Sequence, residues 1–183
     1  LGNVSVFING GYVRDLLLGK RPDDLDLSFC LRDCSGDVTV FDLLENMKSF
    51  AVSKPELGII EVKTATILSD ETKNKMLDTA KAYFIDTQEL KTEVDIMPTI
   101  GEEIYEEGSR IPVRDQRGLP EQDALRRDLT IGALLLRVEI DEHKGTLRYG
   151  LLDFYGGVVD LQKGVLRGPC PKDKGVVEVR EQV

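Results

Sequence analysis

With 183 residues and 41% hydrophobic side chains, the chain is long enough for one domain with a packed core and too apolar for a disordered protein. No apolar run approaches the roughly 20 residues that cross a bilayer, so no membrane partner is expected. The net charge of −9 argues against a tight nonspecific grip on nucleic acid by this chain alone, because neutralising phosphates requires Lys and Arg.

Val4 to Ile8 is a β-branched and aromatic run ending at Gly10-Gly11, and it predicts a strand. The pattern then predicts a helix over Tyr12 to Leu18, stopped by Gly19 and Pro22, and a second strand over Leu25 to Leu31. Val40, Leu43, Leu44 and Met47 recur at helical spacing within 38–50, with Asp42, Glu45 and Lys48 outward. Alternation predicts strands over Ile59 to Leu68, Thr79 to Ile85 and Glu93 to Ile100, with a polar loop over Ser69 to Lys75. Gly101 to Pro120 is charged and rich in Gly and Pro, which predicts a long functional loop. Leu125, Leu129, Gly132, Ala133 and Leu136 form the stripe of an expected helix over Glu121 to Val138, with Pro120 near its first turn. A strand over Leu147 to Phe154 and a short segment from Gly156-Gly157 to about Val165 follow, and Pro169 and Pro171 open a linker-like tail. The order predicts an α+β domain on a mixed sheet, without the regular β-α alternation of a doubly wound fold.

Some chemistries are excluded. Cys30, Cys34 and Cys170 are odd in number and loosely spaced, which predicts reduced thiols in an intracellular protein. His143 is the single histidine and lies in a solvated-turn sequence, so zinc binding and Ser-His-Asp or Cys-His catalysis are not expected. Gly10-Gly11 does not satisfy the dinucleotide fingerprint G-x-G-x-x-G. The start at Leu1-Gly2-Asn3 shows no secretory leader and, lacking an initiator Met, suggests a piece of a longer protein.

Four constellations carry chemistry. Gly10 and Gly11 sit at a strand–helix junction where backbone N–H groups can approach an anion, and Arg14 lies one turn further on. Asp24 and Asp26 are two residues apart, so on a strand they share a face. Side-by-side carboxylates repel unless a cation intervenes, and hard oxygen donors suit Mg²⁺. Asp95, between Val94 and Ile96, is a candidate third carboxylate, with Glu93 on the same face as its rival. Asp123 and Arg127 are i, i+4 partners on the expected helix. About 100° of helical rotation would point Arg126 and Arg127 in different directions, one toward a triphosphate or ribose and the other toward the sheet or solvent.

Together these residues resemble a known family. Residues 10–27, reading Gly-Gly-Tyr-Val-Arg-Asp and ending in Asp-Asp-Leu-Asp-Leu, are similar to the signature of class II nucleotidyltransferases. That class comprises the tRNA CCA-adding enzymes and the bacterial-type poly(A) polymerases. Arg126-Arg127-Asp128-Leu129-Thr130-Ile131 resembles their second motif and residues 152–167 a third, hinge-like one. Ser109 to Pro112 and Gly118 to Ala124 are similar to the eukaryotic CCA-adding branch. The resemblance implies a DNA polymerase β-like palm over residues 1–168, with 169–183 beginning a linker toward a helical neck and body. It implies that Asp24, Asp26 and Asp95 hold two Mg²⁺ ions and that Gly11, Arg14 and Arg127 contact the incoming CTP or ATP, with Asp128 near the ribose. The implied reaction adds CMP and AMP to the 3′ end of tRNA; the alternatives are a poly(A)-adding relative and a catalytically impaired nucleotide-binding head. Three departures stand out: Gly132 where the family usually has Asn, Met97-Pro98-Thr99-Ile100 where an Arg is common, and no Glu-Asp-x-x-Arg base-selecting segment after residue 168.

Overall fold

The computed structural model describes residues 4–36, 38–67, 79–101, 103–105, 112–114, 117–141 and 144–170. The expected loop at 69–75, the turn at His143 and most of the expected linker lie outside these residues.

Nine strands and four helices are described: β1 Ser5–Asn9, α1 Gly10–Leu17, β2 Leu25–Cys30, α2 Val40–Ser53, β3 Ile59–Ile67, β4 Thr79–Asp86, β5 Lys91–Pro98, β6 Glu103–Tyr105, β7 Pro112–Arg114, α3 Pro120–Leu125, β8 Leu135–Asp141, β9 Thr146–Leu152 and α4 Gly157–Lys163. Seven strands form one sheet in the order β3-β4-β5-β2-β1-β8-β9. Pairing is antiparallel except between β2 and β5, which run parallel. This is the mixed sheet of the predicted α+β class.

Period-two alternation divides the sheet into two faces. On one, Val94 and Ile96 of β5, Ala80 and Ala82 of β4 and Phe29 of β2 meet Val40, Leu43 and Leu44 of α2 in the main core. A reciprocal cap opens α2: Asp42 N donates to Thr39 Oγ1 at 3.2 Å and Thr39 N donates to Asp42 Oδ2 at 2.8 Å. On the other face Phe7, Cys30 and Leu135 pack with Ala124 and Ala133 in a smaller core. The interleaved outward residues of β2, β4 and β5 are left for polar work.

The expected helix over 121–138 is not formed. Helix α3 stops at Leu125, a 3-10 turn covers Thr130–Gly132, and β8 begins at Leu135. The stripe at Leu125, Leu129 and Leu136 has helical spacing, but β8 lies between β1 and β9 and hydrogen-bonds to both. Two ladders outweigh a local periodicity that a free helix would satisfy. The expected loop over 101–120 likewise contains a paired ribbon, with Ile104 opposite Val113.

That excursion is closed at its base. Gly118 N donates to Thr99 O at 3.1 Å, and Thr99 Oγ1 donates to Gly118 O at 2.6 Å. A Cβ on Gly118 would stand 2.1 Å from the Ile100 carbonyl carbon and the Gly101 nitrogen, so only glycine fits this approach. Arg117 donates to the carbonyls of Leu31, Cys34, Gly36 and Val38, holding the loop between β2 and α2.

Candidate active site

The parallel pair β2–β5 sets the site. Its register places Asp26 directly opposite Asp95, so the two carboxylates stand side by side on one face, on strands about 4.8 Å apart. Asp24 precedes β2 by one residue and continues the row. The outward parity of Glu93, Asp95 and Met97 follows from burial of Val94, Ile96 and Pro98 beneath them.

Helix α1 borders this row because β1 and β2 are antiparallel neighbours and α1 follows β1 directly. Gly11, Arg14, Asp15, Pro22, Asp24 and Asp26 line one depression of about 180 Å³. Two halves that the sequence shows separately, the glycine–arginine turn and the paired carboxylates, therefore face the same space. Gly10 instead turns the chain from strand into helix, with a φ of +58° and its N–H donated to Leu134 O at 3.2 Å. Arg14 Nε is 2.8 Å from Asp15 Oδ1 at the rim.

Asp26 is half-buried, and its carboxyl is held above the usual carboxylate range. Burial is the largest cause and the neighbouring Asp95 charge the next; Asp24 adds to the shift, while Arg127 and Lys81 oppose it. The row thus carries negative charge that the protein does not fully neutralise. Its donors are hard carboxylate oxygens, the chemistry that suits a divalent cation such as Mg²⁺. As the side chains stand, no three His, Cys, Asp or Glu residues among those described converge on a single point. Lys81, directly across from Asp95 on β4, has Nζ 3.2 Å from Asp95 Oδ1 and also contacts Glu93.

The arginines come from the end of α3. The sequence predicts that Arg126 and Arg127 diverge; both reach Asp123 instead, three and four residues after it, with Arg126 as the C-cap of α3. Arg126 Nε donates to Asp123 Oδ1 at 2.8 Å and Arg127 Nη2 to Asp123 Oδ2 at 3.0 Å. Asp123 is fully buried and also accepts from Ile100 N at 3.2 Å, just beyond β5. One carboxylate thus fixes both guanidinium groups relative to the strand that carries Asp95. Arg127 Nε is buried without a hydrogen-bond partner, and the Arg127 charge acts on Asp26. Asp128 lies exposed in the following turn.

The third motif braces the second. Asp160 on α4 accepts from Thr130 Oγ1 at 2.6 Å and from Arg167 Nε at 2.7 Å, while Thr130 N donates to Arg167 O at 2.8 Å. Gly157 makes this contact possible: a Cβ there would stand 2.3 Å from Thr130 O. Gly132 is the opposite case, since a Cβ would meet nothing within 4 Å.

Sequence reasoning did not single out Lys81, and it saw Asp123 only as half of a helical pair. The signal for Lys81 was one cation between two small apolar residues, Ala80 and Ala82, in an alternating strand. Nothing in the local sequence showed that Asp123 would also receive the Ile100 amide from 23 residues away.

A family profile described as the poly A polymerase head domain matches residues 6–167. The chain belongs to this head-domain family. It is 36% identical over 170 residues to the mitochondrial CCA tRNA nucleotidyltransferase of Candida glabrata, covering 92% of this chain and 28% of that protein. The mitochondrial CCA tRNA nucleotidyltransferase of Saccharomyces cerevisiae is likewise 36% identical over 169 residues, covering 92% of this chain and 27% of the relative. Among solved structures, an apo CCA-adding enzyme superposes with a TM-score of 0.61 at 25% identity, covering 92% of this chain and 32% of that one. The Thermotoga maritima CCA-adding enzyme complexed with tRNA gives 0.52 at 25% identity, over 92% of this chain and 29% of the other. This chain therefore spans less than a third of the length of these relatives. The matched region contains the seven-stranded sheet except Ser5, and the four described helices.

Proposed function

We propose that this chain is the catalytic head of an RNA nucleotidyltransferase that adds CMP and AMP, from CTP and ATP, to the 3′ end of tRNA. Residues 1–168 form the head and 169–183 begin a linker toward a helical neck and body. The observation that carries this reading is the register of Asp26 on Asp95, continued by Asp24, beside the depression lined by Gly11 and Arg14. The names of the yeast relatives support tRNA as the substrate, and their mitochondrial designation supports an intracellular location.

In this reading Asp24, Asp26 and Asp95 would hold two Mg²⁺ ions, a group that would supply a lowered pKa for the attacking hydroxyl and neutralising charge for the triphosphate and leaving group. The remaining work is positioning. Arg14 and Arg127 offer guanidinium donors to the phosphates. The missing side chain at Gly11 lets a phosphate approach the backbone. Arg126 shares Asp123 with Arg127 and keeps the pair in place, with Asp128 toward the ribose side. The RNA 3′-hydroxyl gives its proton to solvent and attacks the α-phosphorus, a new phosphodiester bond forms, and pyrophosphate leaves with the electrons of the broken P–O bond.

The test is ATP and CTP binding to the chain with and without a chelator, for the native sequence and Asp26→Ala. Binding should require divalent cation and be lost in the variant; ATP binding indifferent to both would remove the catalytic assignment. A tRNA lacking CCA, offered CTP and ATP separately to the full-length protein, separates CCA addition from poly(A) addition.

A further inference from the structure

The carboxylate row contains one cation that neither the family resemblance nor the proposed chemistry uses. Lys81 projects from β4 between buried Ala80 and Ala82, and the β4–β5 register sets it directly opposite Asp95. Directly opposed side chains on adjacent strands are within easy reach. Asp95 therefore has Asp26 on one flank and Lys81 on the other. The ammonium also contacts Glu93, two residues before Asp95 on the same face.

We propose that Lys81 is an exchangeable counter-ion of the catalytic row: its ammonium rests between Asp95 and Glu93 and moves wholly onto Glu93 when a divalent cation takes Asp95. This rests on the reading of Asp24, Asp26 and Asp95 as metal ligands. Three features support it. An ammonium on a flexible four-carbon stem is a compact charge with rotatable donors, so it can change partner without moving a strand; a guanidinium fork would not release so readily. Lys81, Glu93 and Asp95 are 32%, 49% and 40% exposed, so packing does not lock the arrangement. Glu93 already contacts the lysine, and the neighbouring Lys91 lies 3.8 Å from the centre of the Tyr83 ring. Without metal, Lys81 relieves the repulsion between Asp95 and Asp26. With metal, the ion takes over that role, and Glu93 keeps the lysine from being stranded beside it. Lys81 is thus a positioning residue that sets how readily the third carboxylate becomes available.

The experiment measures Mn²⁺ affinity of the 183-residue chain by the EPR signal of free Mn²⁺, without nucleotide or RNA. Lys81→Met should bind Mn²⁺ roughly three- to fivefold more tightly, the scale of one exposed ion pair. Glu93→Gln should weaken binding by roughly twofold when Lys81 is present, since the lysine then depends on Asp95 alone. In the Lys81→Met background Glu93→Gln should change nothing. General electrostatics would instead give Glu93→Gln the same effect in both backgrounds. Equal or weaker Mn²⁺ binding by Lys81→Met, or an additive double variant, overturns the proposal. If the native chain binds no Mn²⁺, or Asp26→Asn leaves binding intact, the metal reading fails and takes this one with it. Asp26-dependent binding that Lys81→Met leaves unaltered overturns only the role of Lys81.

Discussion

Replacing Asp123 by alanine should cost about 3 to 4 kcal/mol of folding stability, near the lower end of the range for breaking a buried ion pair. The carboxylate is fully buried and accepts three hydrogen bonds: from Arg126 Nε at 2.8 Å, Arg127 Nη2 at 3.0 Å and Ile100 N at 3.2 Å. Bonds to a charged group contribute about 1.5 to 3 kcal/mol each, so a simple sum would overshoot. The two arginine side chains are 24% and 22% exposed, so their guanidinium groups can recover water once released. Ile100 is fully buried, and its amide recovers nothing. Asp123→Asn keeps an acceptor for that amide but loses the charge, and should cost about half as much as alanine. Urea unfolding measures both, through a shift in midpoint at constant slope. Metal-dependent ATP binding should weaken in both variants, because Arg127 is no longer held beside the carboxylates. An alanine variant that loses under about 1 kcal/mol, or an asparagine variant as damaged as alanine, would refute this account of Asp123.

Gly157→Ala pushes a methyl group against the Thr130 carbonyl and should destabilise by about 1 to 3 kcal/mol, read from the thermal midpoint. Gly132→Ala enters open space at a negative-φ position and should stabilise by about 0.4 to 1 kcal/mol in the same assay, through loss of chain freedom in the unfolded state. Asp26→Asn removes a half-buried carboxylate crowded by Asp95 and Asp24. It should raise metal-free stability near neutral pH, seen as a higher urea midpoint, while abolishing metal-dependent ATP binding. Because the Asp26 pKa is raised in the folded state, that gain should be present above the carboxylate range and vanish below it, where the native side chain is protonated whether folded or not. Urea melts at neutral and acid pH check this.

The strands at the centre of the sheet were legible because their burial alternates. Val94 and Ile96 under Glu93 and Asp95 announce both the strand and its outward acids. The i, i+2 spacing put Asp24 and Asp26 on one face, and the structure adds the register that lays Asp95 beside them. What local pattern could not supply was pairing across long separations. Leu129 to Leu136 has a helical stripe, yet β8 gains two neighbouring ladders. Arg126 and Arg127 were expected to point about 100° apart, yet both reach the one buried carboxylate of Asp123. Lys81 was overlooked because its meaning depends on which residue of β5 stands opposite it.

The closure at Thr99 and Gly118 gives the chain between them the character of an interchangeable cassette. Its two ends are stitched to each other by backbone and hydroxyl bonds, and the seam is anchored by the Ile100 amide on Asp123 and the Arg117 guanidinium on the opposite loop. Doubling the length of a loop whose ends are already fixed adds only about 0.6 kcal/mol of closure entropy. Changes of length or sequence between 101 and 117 should therefore cost little at Asp95, four residues before the seam.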